Sequence, residues 1–214
     1  MHWTLLRWWP WLDTRAQFVA RIPPGGALLD LGSAEGGTLW RLHQLRPDLR
    51  LFAVDIAGEP QRYPPGCEFC RADLERQRLP WPDASMDAVT CLHLVEHLHD
   101  LGAFMSEVSR LLRPGGAVFV ETPHPRSLTL PSSGGWFPLN FHDDATHVRL
   151  VSADELTREM IRAGLQPEPP RLSRNWLFAA SFLGFVFLPT SRQKLTARLH
   201  WVGWSACCVA RKPT

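Results

Sequence analysis

Acidic residues end at Glu168: the rest of the 214-residue chain has none, while Arg171, Arg174, Arg192, Lys194, Arg198, Arg211 and Lys212 follow. That imbalance should draw anions to the C-terminal stretch. No Lys/Arg-rich block occurs in the first two thirds and the formal net charge is only +2, which argues against nucleic-acid binding through bulk electrostatics. Long apolar runs are missing as well. A spanning helix needs about 20 apolar residues, and the longest stretch, WLFAASFLGFVFLP at 176–189, is too short to cross a bilayer. The start, MHWTLLRWWPWLD, is interrupted by Arg7 and Pro10 and no small-residue cleavage site follows, so it is expected to be retained rather than removed as a targeting segment. Five cysteines scattered through apolar segments make no disulfide framework, and a reducing cytoplasm is the expected compartment. Cys67 and Cys70 have C-x-x-C spacing, but no second pair supplies the four ligands of a structural zinc, so they are read as half-buried thiols on a strand. No internal repeat is present.

What is present suits one globular domain. Hydrophobic residues make up 45% and charged residues 21% of the chain, enough to bury a sizeable core. Short apolar runs alternate with helical patterns, the signature of an α/β sheet built from parallel units. Strands are expected at 27–31, 49–56, 67–72, 87–94, 117–122 and 203–211, with helices around 36–46, 101–113 and 152–164. The second helix carries basic residues in its last turn and is expected to stop at Pro114-Gly115-Gly116. The third opens with Ser152 as cap and Glu155 three residues on, and ends at Gly164.

The run LLDLGSAEGGTLW, 28–40, ends a strand, turns through glycines and starts a helix. In an open parallel sheet a ligand sits beyond the carboxyl ends of the strands at the switch point, which places Gly32-Ser33-Ala34-Glu35-Gly36-Gly37 beside it. Gly32 allows a tight turn, and the small Ala34 and Gly36 let a ligand approach the backbone. Gly32, Ala34 and Gly37 nearly fit a dinucleotide fingerprint, the mark of a nucleotide-dependent oxidoreductase. A pyrophosphate, however, would sit on the helix N-terminus, where Glu35 sets a like charge, and the residue that should let it approach is Ala34 instead of glycine. The loop therefore favours a ligand without phosphates that bears positive charge. S-adenosylmethionine, with its sulfonium, its ammonium and two free ribose hydroxyls, meets that description. Asp55, ending the second strand, is placed to accept both ribose hydroxyls, against the alternative of an ordinary strand-end carboxylate. Asp73, after the third strand, is placed to accept from the adenine amino group, with Leu74 against the ring.

The ordered series LLDLGSAEG, VDI, ADLERQRLPWPDASMDAVTCLHLVEHLHD and LLRPGGAVFVETP resembles the class I S-adenosylmethionine-dependent methyltransferases, particularly the small-molecule branch with an EHL segment after the fourth strand. The resemblance covers about residues 26–165. It implies an α/β, Rossmann-like, seven-stranded and mostly parallel sheet with helices on both faces and the last strand antiparallel. The implied cofactor is S-adenosyl-L-methionine, with S-adenosyl-L-homocysteine as product. Carried across, Asp30, Gly32 and Gly36 frame the methionine moiety with Ser33 and Ala34 in the same turn, and Asp55 with Ile56 holds the ribose and adenine edge. Asp73 and Leu74 hold the adenine, while Leu92 and His97 lie near the sulfonium. Ala34 departs from the glycine of many members, though a methyl is tolerable there. On this reading 1–25 is a Trp-rich helical segment and 26–214 the methyltransferase domain, with a lid at about 124–150 and an insertion at about 176–200.

Methyl transfer is a displacement at carbon, so the protein must hold nucleophile, methyl and sulfur in line. A hydroxyl acceptor gains from a general base, usually histidine near neutral pH. His147 in NFHDDATHVRL and His124 in ETPHPRS are the expected catalytic bases, with structural readings beside them: His147 pinning the lid, His124 shaping the wall. The stretch PHPRSLTLPSSGGWFP has the composition of a lid over the site. DATHVR resembles a segment of family members that tailor sugars and other small hydroxylated metabolites. The expected acceptor is accordingly a hydroxyl, ahead of an amine, on a small-molecule, saccharide or lipid-linked compound, with a non-catalytic cofactor-binding regulatory module as the alternative. No metal is expected, with a metal at His142, Asp143 and His147 as the alternative.

The insertion at 176–200 joins an apolar run to the acid-free basic tail. Two readings stay open: a surface for a lipid-linked or anionic acceptor or a membrane edge, and a hydrophobic helix packed on the sheet or in a homodimer interface. Trp3, Trp8, Trp9 and Trp11 share that ambiguity and could equally cover the cofactor pocket. The expected location is cytoplasmic, with peripheral membrane association open.

Overall fold

All five residues of Ala27–Leu31 (β1) are buried, as suits a central parallel strand covered on both faces. The computed structural model describes residues 3–132 and 140–214. In it β1 pairs in parallel with Arg50–Asp55 (β2) on one side, and Glu68–Arg71 (β3) extends the sheet beyond β2. On the other side Met86–Leu92 (β4) pairs with β1 and Leu112–Pro123 (β5) with β4, again in parallel. Two short pieces, Gln166–Pro167 (β6) and Arg171–Ser173 (β7), form the far edge. Both run antiparallel to Ser205–Arg211 (β8), which is itself antiparallel to β5. Eight strands therefore stand where seven were expected. The registers of β6 and β7 on β8 differ by one residue and Pro169 and Pro170 lie between them, so one edge strand is interrupted where the ring nitrogens cannot donate to the ladder.

The strand order β3-β2-β1-β4-β5-β8-β6 changes its direction of growth between β1 and β4, which opens a crevice over their C-terminal ends. Alternating side chains feed a core on each face. On one, Leu29, Val89 and Val118 pack with Phe104 and Met105 of Leu101–Leu111 (α3) and Leu156 of Ala153–Arg162 (α4). On the other, Leu28, Ala53 and Phe119 pack with Phe18 of Thr14–Val19 (α1) and Leu39 of Gly37–Leu45 (α2). Helix starts follow their caps: Asp13 accepts from the Arg15 and Ala16 amides, Asp100 from Ala103 and Ser152 from Glu155. Helix α3 stops at Leu111, short of the expected Pro-Gly-Gly, because residues 113–116 loop out between the β5 positions that pair with Met86 and Ala88.

The N-terminal segment is helical, with 3-10 turns at Trp3–Arg7 and Pro10–Leu12 before α1, and it packs on the same sheet, the Phe18 ring 5.4 Å from Phe119. Trp8, Trp9 and Trp11 are exposed. Residues 133–139 of the expected lid and the side chain of Trp3 lie outside the described residues. The insertion forms two helices packed on each other, Trp176–Phe185 (α5) and Arg192–Val202 (α6), between β7 and β8. No helix among the described residues is long and apolar enough to cross a membrane. All five cysteines are free, Cys67 and Cys70 half-buried and the others buried.

Candidate functional site

The turn after β1 is built so that backbone, not side chains, faces the crevice. Gly32 (φ 71°) and Gly36 (φ 74°) both adopt left-handed conformations. A Cβ on Gly36 would lie 2.8 Å from the Tyr63 ring, and one on Gly32 3.0 Å from Leu94. Ala34 is also left-handed at φ 46° without glycine's freedom, and it is held there from both sides. Its amide donates to Asp55 Oδ2 at 2.7 Å, and its carbonyl accepts from the Tyr63 hydroxyl at 2.7 Å. The buried Ser33 hydroxyl donates to the Val54 carbonyl at 3.1 Å and shares a 2.9 Å bond with Tyr63, so it braces the turn from behind.

Two clefts meet over this turn. One, about 360 Å³, is lined by Ala34, Glu35, Asp55, Ala57, Gly58, Glu59 and Arg62. The Asp55 oxygens each accept one backbone amide, from Ala34 and from Ala57 at 2.9 Å, which fixes the carboxylate on the cleft wall with lone pairs to spare. Ile56 beside it is two-thirds exposed. Asp73 and Leu74 follow β3 at the same sheet edge, but the Asp73 carboxylate accepts from the Glu75 amide at 3.0 Å, Leu74 packs against the core, and neither lines the cleft. Glu35 lies on the walls of both clefts, largely exposed, and is ion-paired with Arg62, which also pairs with Glu59.

The second cleft, about 320 Å³, includes Arg15, Asp30, Gly32, Gly37, Thr38, Leu92 and His93 among its walls. Asp30 is 2% exposed, and burial pushes its carboxyl up to about 7, against the pull of a 2.7 Å bond from Thr90 Oγ1 and the charge of Arg15. Gly37 and Thr38 open α2, so its unpaired N-terminal amides face this cleft. Arg15 reaches over the sheet edge and clasps the buried Glu121 with two 2.8 Å bonds. Glu121 also accepts from Ser173 at 2.8 Å and from His93 Nε2 at 3.2 Å, while His93 Nδ1 meets Glu96 at 3.2 Å. An imidazole donating to two carboxylates carries both protons. Burial opposes that charge on His93, but the bonds and charges of Glu121 and Glu96 together raise it to about 9. His93 sits at φ 54°, outside the comfortable range for its side chain, so the network fixes a conformation the residue would not choose.

The expected lid meets the loop after β4. Val148 and Arg149 amides both bond the Glu96 carbonyl, at 2.9 and 3.3 Å, and the His97 ring lies 4.9 Å from that of His147. His97, expected near the sulfonium, thus turns to the lid, its Nδ1 3.1 Å from the Thr146 carbonyl, and only Leu92 of that pair lines the cleft. His147 stacks on Phe141 and its Nδ1 donates to the Phe141 carbonyl at 2.6 Å, which leaves a lone pair on Nε2. His124 is arranged the other way: its Nδ1 accepts from the Arg126 amide at 3.1 Å, so its proton sits on Nε2 and no lone pair is left to take another. Asp143 accepts from the Asn140 amide at 3.0 Å in a capping box, and His142 is exposed. The group able to hold a metal among the described residues is instead Glu96, His97 and His147, whose ligand atoms lie within 4.8 Å of one another.

Arg15, His93, Glu96 and Glu121 were absent from the expected site. Glu121 carried a signal, an acid ending the apolar run AVFVE, because a carboxylate there must find a partner. Its partner Arg15 lies 106 positions away, in a segment whose tryptophans dominate the reading.

The family model described as a methyltransferase domain matches residues 7–169. A probable S-adenosylmethionine-dependent methyltransferase of Mycolicibacterium smegmatis is 42% identical over 116 residues, covering 53% of this chain and 40% of that protein. The 27-O-demethylrifamycin SV methyltransferase of Amycolatopsis mediterranei is 29% identical over 174 residues, 73% of this chain and 60% of that protein. The match thus spans less than two thirds of either relative. A solved S-adenosylmethionine-dependent methyltransferase from Mesorhizobium loti shares the fold, with a TM-score of 0.65 at 20% identity over 96% of this chain and 98% of that one.

Proposed function

This chain belongs to the methyltransferase-domain family, and from that premise we propose that it moves the methyl group of S-adenosyl-L-methionine to a hydroxyl, ahead of an amine, of a small-molecule or saccharide-like acceptor. The observation that carries the reading is the double cleft over the β1 turn, with one fixed carboxylate on each side. Asp55 accepts the vicinal ribose hydroxyls. Asp30 faces the ammonium, while the α2 N-terminus and Arg15 receive the carboxylate of the methionine moiety. Leu92 lies beneath the sulfonium. This assignment puts the electrostatic choice on Asp30 and Asp55 beside Glu35, since Arg62 divides its charge between Glu35 and Glu59.

S-adenosyl-L-methionine supplies an electrophilic methyl. With the cofactor bound, His147 Nε2 would take the proton of the acceptor's hydroxyl, and the cofactor would supply the methyl carbon for the new O–C bond, its sulfur keeping the C–S pair as the thioether of S-adenosyl-L-homocysteine. The Amycolatopsis relative is named for an O-demethylated substrate, which supports oxygen as the acceptor atom. The test is S-adenosyl-L-homocysteine release across a panel of hydroxylated metabolites and sugars. Turnover with some of them is expected. Tight cofactor binding with no release from any acceptor would favour a non-catalytic, cofactor-binding regulatory module.

A further inference from the structure

Helix α5 is apolar on every side, yet Ala179 is its one buried residue. A helix of that kind is normally enclosed by protein or lipid. Exposure increases toward the turn into α6, with Leu183 at 61%, Phe187 at 94% and Leu188 at 52%. Trp176 and Trp201, about half exposed, lie at the opposite end, where the hairpin joins the sheet. Every charge in the hairpin is positive, Arg192, Lys194 and Arg198, and no acid occurs from residue 169 onward. Lys194 Nζ donates to the carbonyls of Val186 at 2.9 Å and Leu188 at 2.6 Å, so two carbonyls of the tip have a partner within the hairpin.

We propose that the α5–α6 hairpin docks on the surface of an anionic lipid bilayer, with Phe187 and Leu188 of its tip inserted shallowly and Arg192 and Lys194 beside the tip at the headgroups. Charge complementarity selects this occupant: a second copy of the chain would bring two acid-free positive faces together, whereas an anionic headgroup layer attracts them. The hairpin is too short to span, which makes the contact interfacial. The proposal does not depend on the methyl-transfer reading, because cofactor binding is measured separately in the same variants.

The test is sedimentation of the full chain with vesicles of phosphatidylcholine alone or mixed with phosphatidylglycerol. Binding to the mixed vesicles is expected, weakened ~10-fold or more by removing the anionic lipid or raising the salt. Phe187→Glu with Leu188→Glu, and separately Arg192→Glu, should release the protein from mixed vesicles while leaving S-adenosyl-L-homocysteine affinity and melting temperature unchanged. Failure to sediment with either vesicle, or binding indifferent to lipid charge, would overturn the proposal. So would a concentration-dependent dimer in light scattering that Phe187→Glu dissolves.

Discussion

Asp30 shows how burial at a single residue becomes a measurable property. Its carboxyl titrates near 7 in the fold against 3.8 when free, so the folded chain retains a proton that the unfolded chain gives up. Ionising it costs folding free energy that grows as pH rises from the free value and is fully present above about 7. A ligand ammonium in front of it reverses the preference. S-adenosyl-L-homocysteine should therefore bind more weakly as pH falls below about 7 and release a proton on binding there, both effects vanishing in Asp30→Asn. Calorimetry in buffers of different ionisation enthalpy checks this, and an unchanged pH slope in the variant would contradict it. His147→Ala should lower kcat by about 10²- to 10⁴-fold, with cofactor affinity intact. Chelators should leave the wild-type rate unchanged, whereas loss of activity on chelation would transfer the role to a metal at Glu96, His97 and His147. Asp30, Asp55 and Leu92 were legible because strand ends alone bring them to the crevice. The pairing of Glu35 with Arg62, 27 positions away, was not legible, nor was the orientation of His97, which Thr146 and His147 set.

Among the elements, the junction of α1, β4 and β5 depends on Glu121. Burial works against its charge, but Arg15 and His93 keep it ionised, well below the usual carboxylate range. Glu121→Ala would leave the partly exposed Arg15 without its carboxylate and His93 with Glu96 alone, and should cost about 1.5–3 kcal/mol, read as a lowered denaturation midpoint with an unchanged m-value. A loss within ordinary surface scatter would show that the network is solvated. The parallel strands and the place of β8 were legible from apolar runs of the right length, whereas the antiparallel direction of β8 followed only from the family resemblance. The split edge strand was not, since β6 and β7 contribute two and three residues, too few for any alternation to register. Helix α5 escaped assignment for a related reason: an all-round apolar pattern has no face, so periodicity cannot say what it packs against.

The whole molecule is a two-faced sheet whose order reverses at the β1–β4 crevice, with the positively charged hairpin rooted after β7 at the same strand ends, where Arg126 donates to the Val202 carbonyl. The proposed methyl transfer needs the crevice to grip a cofactor before any acceptor matters. Titration of S-adenosyl-L-homocysteine into the wild-type chain and into Asp55→Ala, followed by calorimetry, tests that requirement most directly. A single-site isotherm for the wild type, weakened ~10-fold or more by loss of the ribose-binding carboxylate, with no heat from NAD, is the predicted result. Equal affinity in the two proteins, or binding of NAD in place of S-adenosyl-L-homocysteine, would contradict it.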